Sequence, residues 1–523
     1  MTQYDDICEE AIGNYGLIST ERAAELGVHR KELYDWVRLG RMEKCGRGLY
    51  RITHYLPTEY DHYAMAVALV GGEAWLWGDA VLAMHNLALG TAANWIFVAT
   101  RLRRFSKAAN DSITLPQYLT NRFASQSSVL KVVCAIIFLI SFTVYVASAF
   151  SAGTSVFCSV LPWFNDHQVL AMAIFAILIL VYTFLGGYKA VCWTDFFQGL
   201  MMLCALLAVP IVMKTSGAFD ASYAGVFKEG TTAFGSNPFS ASWQEIVTGL
   251  GWGLGYFGMP HILVRFMSIE KPSQIKKSAA VAIGWVVLTL GAAMAMAYLG
   301  RTYIMGAGVA LADKLLPNGQ QRIFIELVDD IFPAFIAGIL LSAIIAAAMS
   351  TADSQMLVAS SAFTSDIYKP LIRKNKTTDK EMLWVGRIVV VVVSLVGFFI
   401  AANGLNKEAS WASNIMSMVE NAWGLFGASF GPVVILSLFW KRFNYQGAVA
   451  GIIAGAIADI GYLLCFQGTI IDGGLICDTG VYEIVPAFII GLIVSVIVTL
   501  ATKAPSEEVL KIYEMGVDKN NDQ

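Results

Sequence analysis

The chain has 523 residues, 56% of them apolar and 14% charged, with a net charge of −3. A soluble domain carries roughly a quarter charged residues to wet its surface, so this composition excludes an ordinary soluble protein over most of the length. Helices that face lipid need no such charge, because their backbone polar groups are satisfied internally; an integral membrane protein is expected, and the near-neutral balance gives no reason to read the whole chain as a nucleic-acid binder.

Residues 1–80 differ from the rest, being dense in charge and without an apolar run of spanning length. No secretory signal opens the chain, since Met1 to Glu10 is acidic and lacks an apolar core. Ser19-Thr20 caps a short helix through Leu26, with Gly27 as its stop. A second helix is predicted from His29 to Leu39, ended by Gly40. Arg41 to Cys45, a Gly46-Arg47-Gly48 turn and Leu49 to Arg51 then make a small hairpin. Helix, tight turn, helix and hairpin is the winged helix-turn-helix order. Arg30, Lys31, Arg38, Arg41, Lys44, Arg47 and Arg51 outnumber Glu32, Asp35 and Glu43 here. Such a basic helix and wing suit phosphate contacts, making DNA a partner for residues 1–80 alone; the alternative is a solvated basic face.

From there on, apolar segments of about 20 residues follow one another, the length that crosses the hydrocarbon core. Ten full spans are predicted near 129–159, 167–186, 192–213, 243–263, 278–300, 332–361, 383–402, 413–440, 445–466 and 481–501, preceded by a partial one at 83–100. With the 101–131 loop inside, Lys and Arg of the inner loops far outnumber the outer Lys214, Lys228, Arg301, Lys314, Arg322 and Lys407. By the positive-inside rule the C-terminus is cytoplasmic. The chain thus divides into a soluble 1–80, a membrane domain 81–506 and a cytoplasmic tail 507–523. No cysteine pair has CxxC spacing, and most cysteines fall in apolar runs, so small buried thiols are expected rather than disulfides or zinc ligands.

Three stretches carry chemistry. In 332–361, Ala347, Ser350, Thr351 and Ser354 recur at i, i+3, i+4 and i+7 and share one helix face. Two hydroxyls and a nearby carbonyl make a hard-oxygen site for Na⁺, or else a small-residue packing face. Asp353 is costly in lipid without a partner, which favours the ion role. In 243–263, Gly249, Gly251, Gly253, Gly255 and Gly258 precede Pro260, leaving a backbone that unwinds easily. Trp252, Tyr256 and Pro260 lie on one side of it, an aromatic wall suited to an apolar ring or a zwitterion. In Gly186 to Gly199, a Gly186-Gly187 turn is predicted, after which Thr194, Asp195 and Gln198 enter the next helix at its N-terminus, where the dipole favours an acid. No nucleophile–base pair, metal cluster or phosphate loop is visible, so an enzyme is not expected, nor a cofactor or a metal beyond Na⁺.

The segments LGTAANWIFVATRLRRFSKAANDSITLPQYLTNRF, GGYKAVCWTDFFQG, GWGLGYFGMPHILVRFM, AAAMSTADSQMLVASSA and FGPVVILSLFWKRFNYQGAVAG resemble, in order, the signatures of the solute:sodium symporter family, its proline carriers most of all. The similarity runs from about Leu87 to Ser506. The first 80 residues resemble the N-terminal domain of abortive-infection type IV antitoxins. The symporter resemblance implies an all-α polytopic fold of two inverted five-helix repeats. It also implies import of proline or a similar small amino acid, driven by Na⁺ across the plasma membrane. By resemblance, Ala347, Ser350 and Thr351 are the sodium ligands. Tyr145, Trp252, Tyr256 and Pro260 line the substrate pocket, and Asp195, Asp353 and Ser354 match a second cation site. Met259 departs from the Gln usual in proline carriers. The family places two more helices first, including a broken core helix 1, and neither is visible here. A fold lacking its first core helix, and so an impaired transporter, is therefore expected. The alternative function is a membrane-tethered DNA-binding regulator, or an antitoxin-like protein fused to a transporter remnant.

Overall fold

A computed structural model of the chain describes residues 4, 7–8, 11, 17–46, 49–53, 89–125, 127–216, 228–229, 232–233, 243–307, 323–374, 376–405, 412, 414–467, 470 and 474–518. They fall in two compact units, Met1–Gly78 with Ala221–Ser240, and Asp79–Asp220 with Ala241–Gln523.

In the first unit, strand β1 (Leu17–Ser19) leads into α1 (Thr20–Glu25) and α2 (Arg30–Arg38), followed by β2 (Met42–Gly46) and β3 (Leu49–Ile52). Gly27 and Gly40 take φ of +78° and +71°, the left-handed geometry that ends each helix where the sequence predicts. The His29 N–H donates to the Glu32 carboxylate at 2.8 Å, satisfying one orphan donor at the start of α2. The hairpin forms as expected, but it sits in a three-stranded sheet of order β1-β3-β2. Strand β1 is too short to show a period-2 pattern, so only its pairing with β3 reveals it. Ile7, Ala11, Ile18, Ala23, Val28, Leu33, Met42, Tyr50 and Ile52 make the core. Tyr4 closes its edge by donating to the Arg41 carbonyl at 3.1 Å. Burial pushes the Tyr4 hydroxyl up to about 12, so it remains a donor at neutral pH.

The second unit is a helical assembly. It comprises α3 (Thr100–Ala108), α4 (Leu115–Arg122), α5 (Val129–Val160), α6 (Gln168–Thr215), α7 (Trp243–Gly255), α8 (Pro260–Met267), α9 (Ile275–Ala307) and α10 (Ile323–Ile331). These are followed by α11 (Ala334–Ala362), α12 (Asp379–Leu405), α13 (Ile415–Phe439), α14 (Tyr445–Cys465), α15 (Ile484–Ala501) and α16 (Glu507–Val517). Among the described residues, eight helices are long and apolar enough to cross a membrane, with Gln168–Val181 and Ile246–Gly255 as shorter apolar helices. The predicted spans 167–186 and 192–213 lie on one continuous helix, α6. The Gly186-Gly187 turn does not form, because a glycine pair weakens a helix by only about 1 kcal/mol per residue and does not remove a hydrogen bond as proline does. Thr194, Asp195 and Gln198 therefore sit mid-helix, and the dipole gives no reason for the acid there. The partial span at 83–100 is described from residue 89, where helix passes through a π-helical turn, Asn94–Ala99, into α3. Residues 54–88, which precede it, lie outside the described residues, and the expected absence of core helix 1 lies there with them.

The long helices α5, α11 and α13 are packed at the centre, with α14 and α15 beside α13. Small residues let these backbones approach closely, as expected for helices in lipid: Gly451 faces Ser495, and Gly455 sits against the Ala428 carbonyl. Cys8, Cys134, Cys158, Cys204, Cys465 and Cys477 are free; of these Cys134 and Cys158 are buried, while Cys204 and Cys477 are exposed. The expectation of small buried thiols thus holds for Cys134 and Cys158 and fails for Cys204 and Cys477. The tail is not loose: α16 lies on α3, with Gly516 against the Phe105 ring.

Candidate functional site

The glycine-rich stretch does unwind. α7 ends at Gly255, Tyr256 to Met259 is non-helical, and Met259 is extended (φ −73°, ψ 110°) ahead of Pro260 at the first turn of α8. Proline has no N–H to give back to the preceding turn, so the break leaves carbonyls exposed in a region without water to satisfy them. Neighbours supply the donors. Asn94, 1% exposed, donates through Nδ2 to the Tyr256 carbonyl at 2.8 Å. Trp423 of α13 donates through its indole N–H to the Trp252 carbonyl at 3.1 Å. The break is also where α13 comes closest: a Cβ on Gly255 would land in the Trp423 indole, and one on Gly258 would meet Gly431 and Gly427 at 2.8 and 2.9 Å.

Around the break stands an aromatic wall. Trp252 lies 6.0 Å from Trp423 and 5.4 Å from Tyr482, and Tyr256 meets Trp423 edge-on at 5.0 Å. Tyr145 of α5 is an electrostatic neighbour of both Tyr256 and Tyr482. Pro260 is buried at the start of α8. The four residues nominated for substrate thus gather at one place. The sequence did not single out Trp423, Tyr482 or Asn94. Asn94 carried a signal, a polar residue inside an apolar run, whereas the two aromatics reach the wall only by packing.

On α11, the Ser350 and Thr351 hydroxyls both donate to the Ala347 carbonyl, at 3.1 and 2.9 Å. Their lone pairs are left pointing away from that bond, so three hard oxygens cluster on one face. One turn along, Ser354 donates to Asp195 of α6 at 3.3 Å. Asp195 also pairs with Arg265 of α8 at 3.4 Å, so an internal cation already holds this carboxylate. Asp353 is completely buried, about 100° round the helix from Ser354. Among the described residues no hydrogen bond joins the α11 oxygens to the aromatic wall. A cavity of about 770 Å³ includes Asp195, His261, Arg265 and Ser354 in its lining, with Arg103 and Asp111 also at its edge. The hydroxyl strip from Ala347 to Ser354 therefore runs from mid-helix to a space large enough for water and ions.

The model of the sodium:solute symporter family matches residues 62–455. The chain belongs to that family. Among its relatives, the sodium/proline symporter of Escherichia coli (strain K12) is 40% identical over 429 residues, covering 82% of this chain and 80% of that protein. The high-affinity proline transporter PutP of Bacillus subtilis (strain 168) is 39% identical over 437 residues, covering 81% and 84%. Among solved structures, the substrate-bound outward-open state of a Na⁺-coupled sialic acid symporter aligns with a TM-score of 0.56 at 20% identity, covering 83% of this chain and 91% of that one. MhsT in complex with L-phenylalanine aligns with a TM-score of 0.50 at 16% identity, covering 82% and 92%. These likenesses show the fold, the helical transporter architecture expected from the sequence. This family member is a multi-pass membrane protein. Residues 5–53 separately match the model described as a transcriptional regulator, AbiEi antitoxin, in keeping with the winged-helix order of that segment.

Proposed function

We propose that the chain is a symporter that imports proline, or a similar small amino acid, on the sodium gradient. The carrying observation is the broken α7–α8 helix with its aromatic wall, in a chain whose relatives are named for sodium/proline symport. Freed backbone groups at a helix break suit the two charged ends of an amino acid. Trp252, Tyr256 and Tyr145 offer faces for an apolar ring, and Pro260 holds the break open. Na⁺ takes the Ala347 carbonyl with the Ser350 and Thr351 hydroxyls. Asp195, Ser354 and Asp353 serve a second cation, which must displace Arg265 from Asp195. Coupling is reciprocal: if bound Na⁺ raises affinity for the amino acid, the amino acid raises affinity for Na⁺ by the same factor. In this reading the protein sits in the plasma membrane with its C-terminus in the cytoplasm, and the cavity beside Arg265 faces inward.

Labelled proline uptake into vesicles with an imposed sodium gradient tests this. Uptake is expected with Na⁺ and strongly reduced by Ser350→Ala. No uptake, or uptake indifferent to Na⁺, overturns the proposal and returns the chain to the reading of an impaired transporter.

A second activity is proposed for the first unit. Lys31, Arg38, Arg41 and Lys44 are all exposed on α2 and the hairpin that follows, a placement suited to DNA phosphates. Duplex binding by the full chain should weaken steeply with salt and be lost in Lys31→Glu/Arg38→Glu; unchanged binding by that variant would sink the idea.

A further inference from the structure

Two carboxylic acids are buried against one glycine in the helical unit. A Cβ on Gly424 of α13 would stand 2.8 Å from Glu483 Oε1 and 3.0 Å from Asp459 Oδ1, which places those oxygens within about 6 Å of each other. Asp459 lies on α14, and Glu483 immediately precedes α15. Each residue is 1% exposed, and neither of the two oxygens has a hydrogen-bond partner. Both are aimed at the bare Cα of Gly424, into the one gap that any side chain at that position would fill.

The surroundings do not neutralise the pair. The titratable groups facing it are Glu420 of α13 and Tyr482, and Tyr145 of α5 lies in turn beside Tyr482. From α7 the neighbours are Thr248, which accepts from the Tyr482 N–H at 3.0 Å, and Trp252, which meets the Tyr482 ring. Gln467 hydrogen-bonds to Glu483 and also donates to the Val481 carbonyl at 2.9 Å. Among the described residues no basic side chain joins the cluster, nor do three or more acids come together as metal ligands. Two buried like charges at this separation, with no counter-ion, do not both persist.

We propose that Asp459 and Glu483 form a proton-binding site at the Gly424 gap, in which one of the two carboxyls keeps its proton while the other is ionised. Loss of that proton leaves two carboxylates in mutual repulsion, pushing α14 from the start of α15. The strain reaches the aromatic wall directly. Tyr482 adjoins Glu483 in the chain, its ring packs on Trp252, and its hydroxyl donates to the Glu420 carbonyl at 2.8 Å. The site thus links proton occupancy to the geometry of the wall, whether or not the chain carries proline.

The test uses the full chain in lipid vesicles, with infrared absorption of protonated carboxylic acids and tryptophan emission as readouts, so it does not depend on transport. Exposed Asp and Glu ionise near about 4, so at pH 7 only buried acids keep a protonated carboxyl band. Part of that band is expected to vanish in Asp459→Asn/Glu483→Gln, whose side chains are near-isosteric with the neutral acids. Wild-type tryptophan emission is expected to change in one step above neutral pH, and the step to be lost in Asp459→Asn and in Glu483→Gln alone. A double variant whose carboxyl band equals that of wild type overturns the site, because both groups were then ionised. An emission step that survives in both single variants overturns the link to the wall.

Discussion

The indole N–H of Trp423 donates to the backbone carbonyl of Trp252 at 3.1 Å, joining α13 to the last full turn of α7. The bond lies between residues far apart in sequence and close to the helix break, so it fixes the break to the packed centre of the unit. Together with the Asn94 bond to Tyr256 at 2.8 Å, it explains how irregular backbone is tolerated at membrane depth: protein donors replace the missing water.

Removing the donor while keeping a ring isolates this bond. Trp423→Phe should weaken the hold on the break by the net value of one buried hydrogen bond, about 0.5–1.5 kcal/mol. The expected result is an apparent affinity for proline lowered roughly 2- to 10-fold, with sodium dependence retained. An unchanged affinity would show that the bond does not shape the substrate site.

The same contact makes Gly255 intolerant of any side chain. Its Cβ would occupy the Trp423 indole, so Gly255→Ala must displace a large ring in a close-packed region, at about 1–3 kcal/mol. Gly284 on α9 has nothing within 4 Å of its added Cβ. Gly284→Ala should be neutral or slightly stabilising, within about 1 kcal/mol. Thermal unfolding of the two purified variants checks this, and equal midpoints would count against the packing account.

Much of this was legible because its signals are local. Gly27 and Gly40 stop their helices, Pro260 starts α8, and the Ala347–Ser354 strip follows from the helical period alone. What the sequence hid is non-local. Trp423 and Tyr482 join the wall only through the packing of α13 and α15 on α7, and Asp459 meets Glu483 only because Gly424 lets them in. The acids themselves were visible inside or beside apolar spans, where an ionisable group marks function by default. The glycine pair at 186–187 misled in the other direction, because glycine permits a turn without requiring one.

On α11 the chemistry distinguishes the two hydroxyls from their carbon skeleton. Thr351→Ser keeps the oxygen that bonds to Ala347, whereas Thr351→Ala removes it. If the oxygen is a sodium ligand, the alanine variant should need at least several-fold more Na⁺ for half-maximal uptake, and the serine variant should stay within about twofold of wild type, a difference below about 0.5 kcal/mol. Equal loss in both would point to methyl packing instead. The measurement is the sodium dependence of proline uptake at a fixed proline concentration.

The tail helix α16 is held by unequal contacts, and their magnitudes predict which one matters. Arg122 is completely buried, donates to the Ser437 and Val509 carbonyls at 3.2 Å each, and stands 5.1 Å over the Tyr513 ring. Lys441 reaches Glu514 at 2.9 Å, but the two side chains are 54% and 65% exposed. A surface pair of that kind contributes about 0–1 kcal/mol, whereas hydrogen bonds from a buried charged group contribute about 1.5–3 kcal/mol each, with a cation–π term beside them. Arg122→Ala should therefore free α16, and Lys441→Ala should leave it docked. Hydrogen exchange over residues 507–517 reads this directly: protection is expected to collapse in the first variant and to persist in the second. Equal protection in both would mean that Gly516 on the Phe105 ring and its neighbouring apolar contacts hold the helix without the arginine.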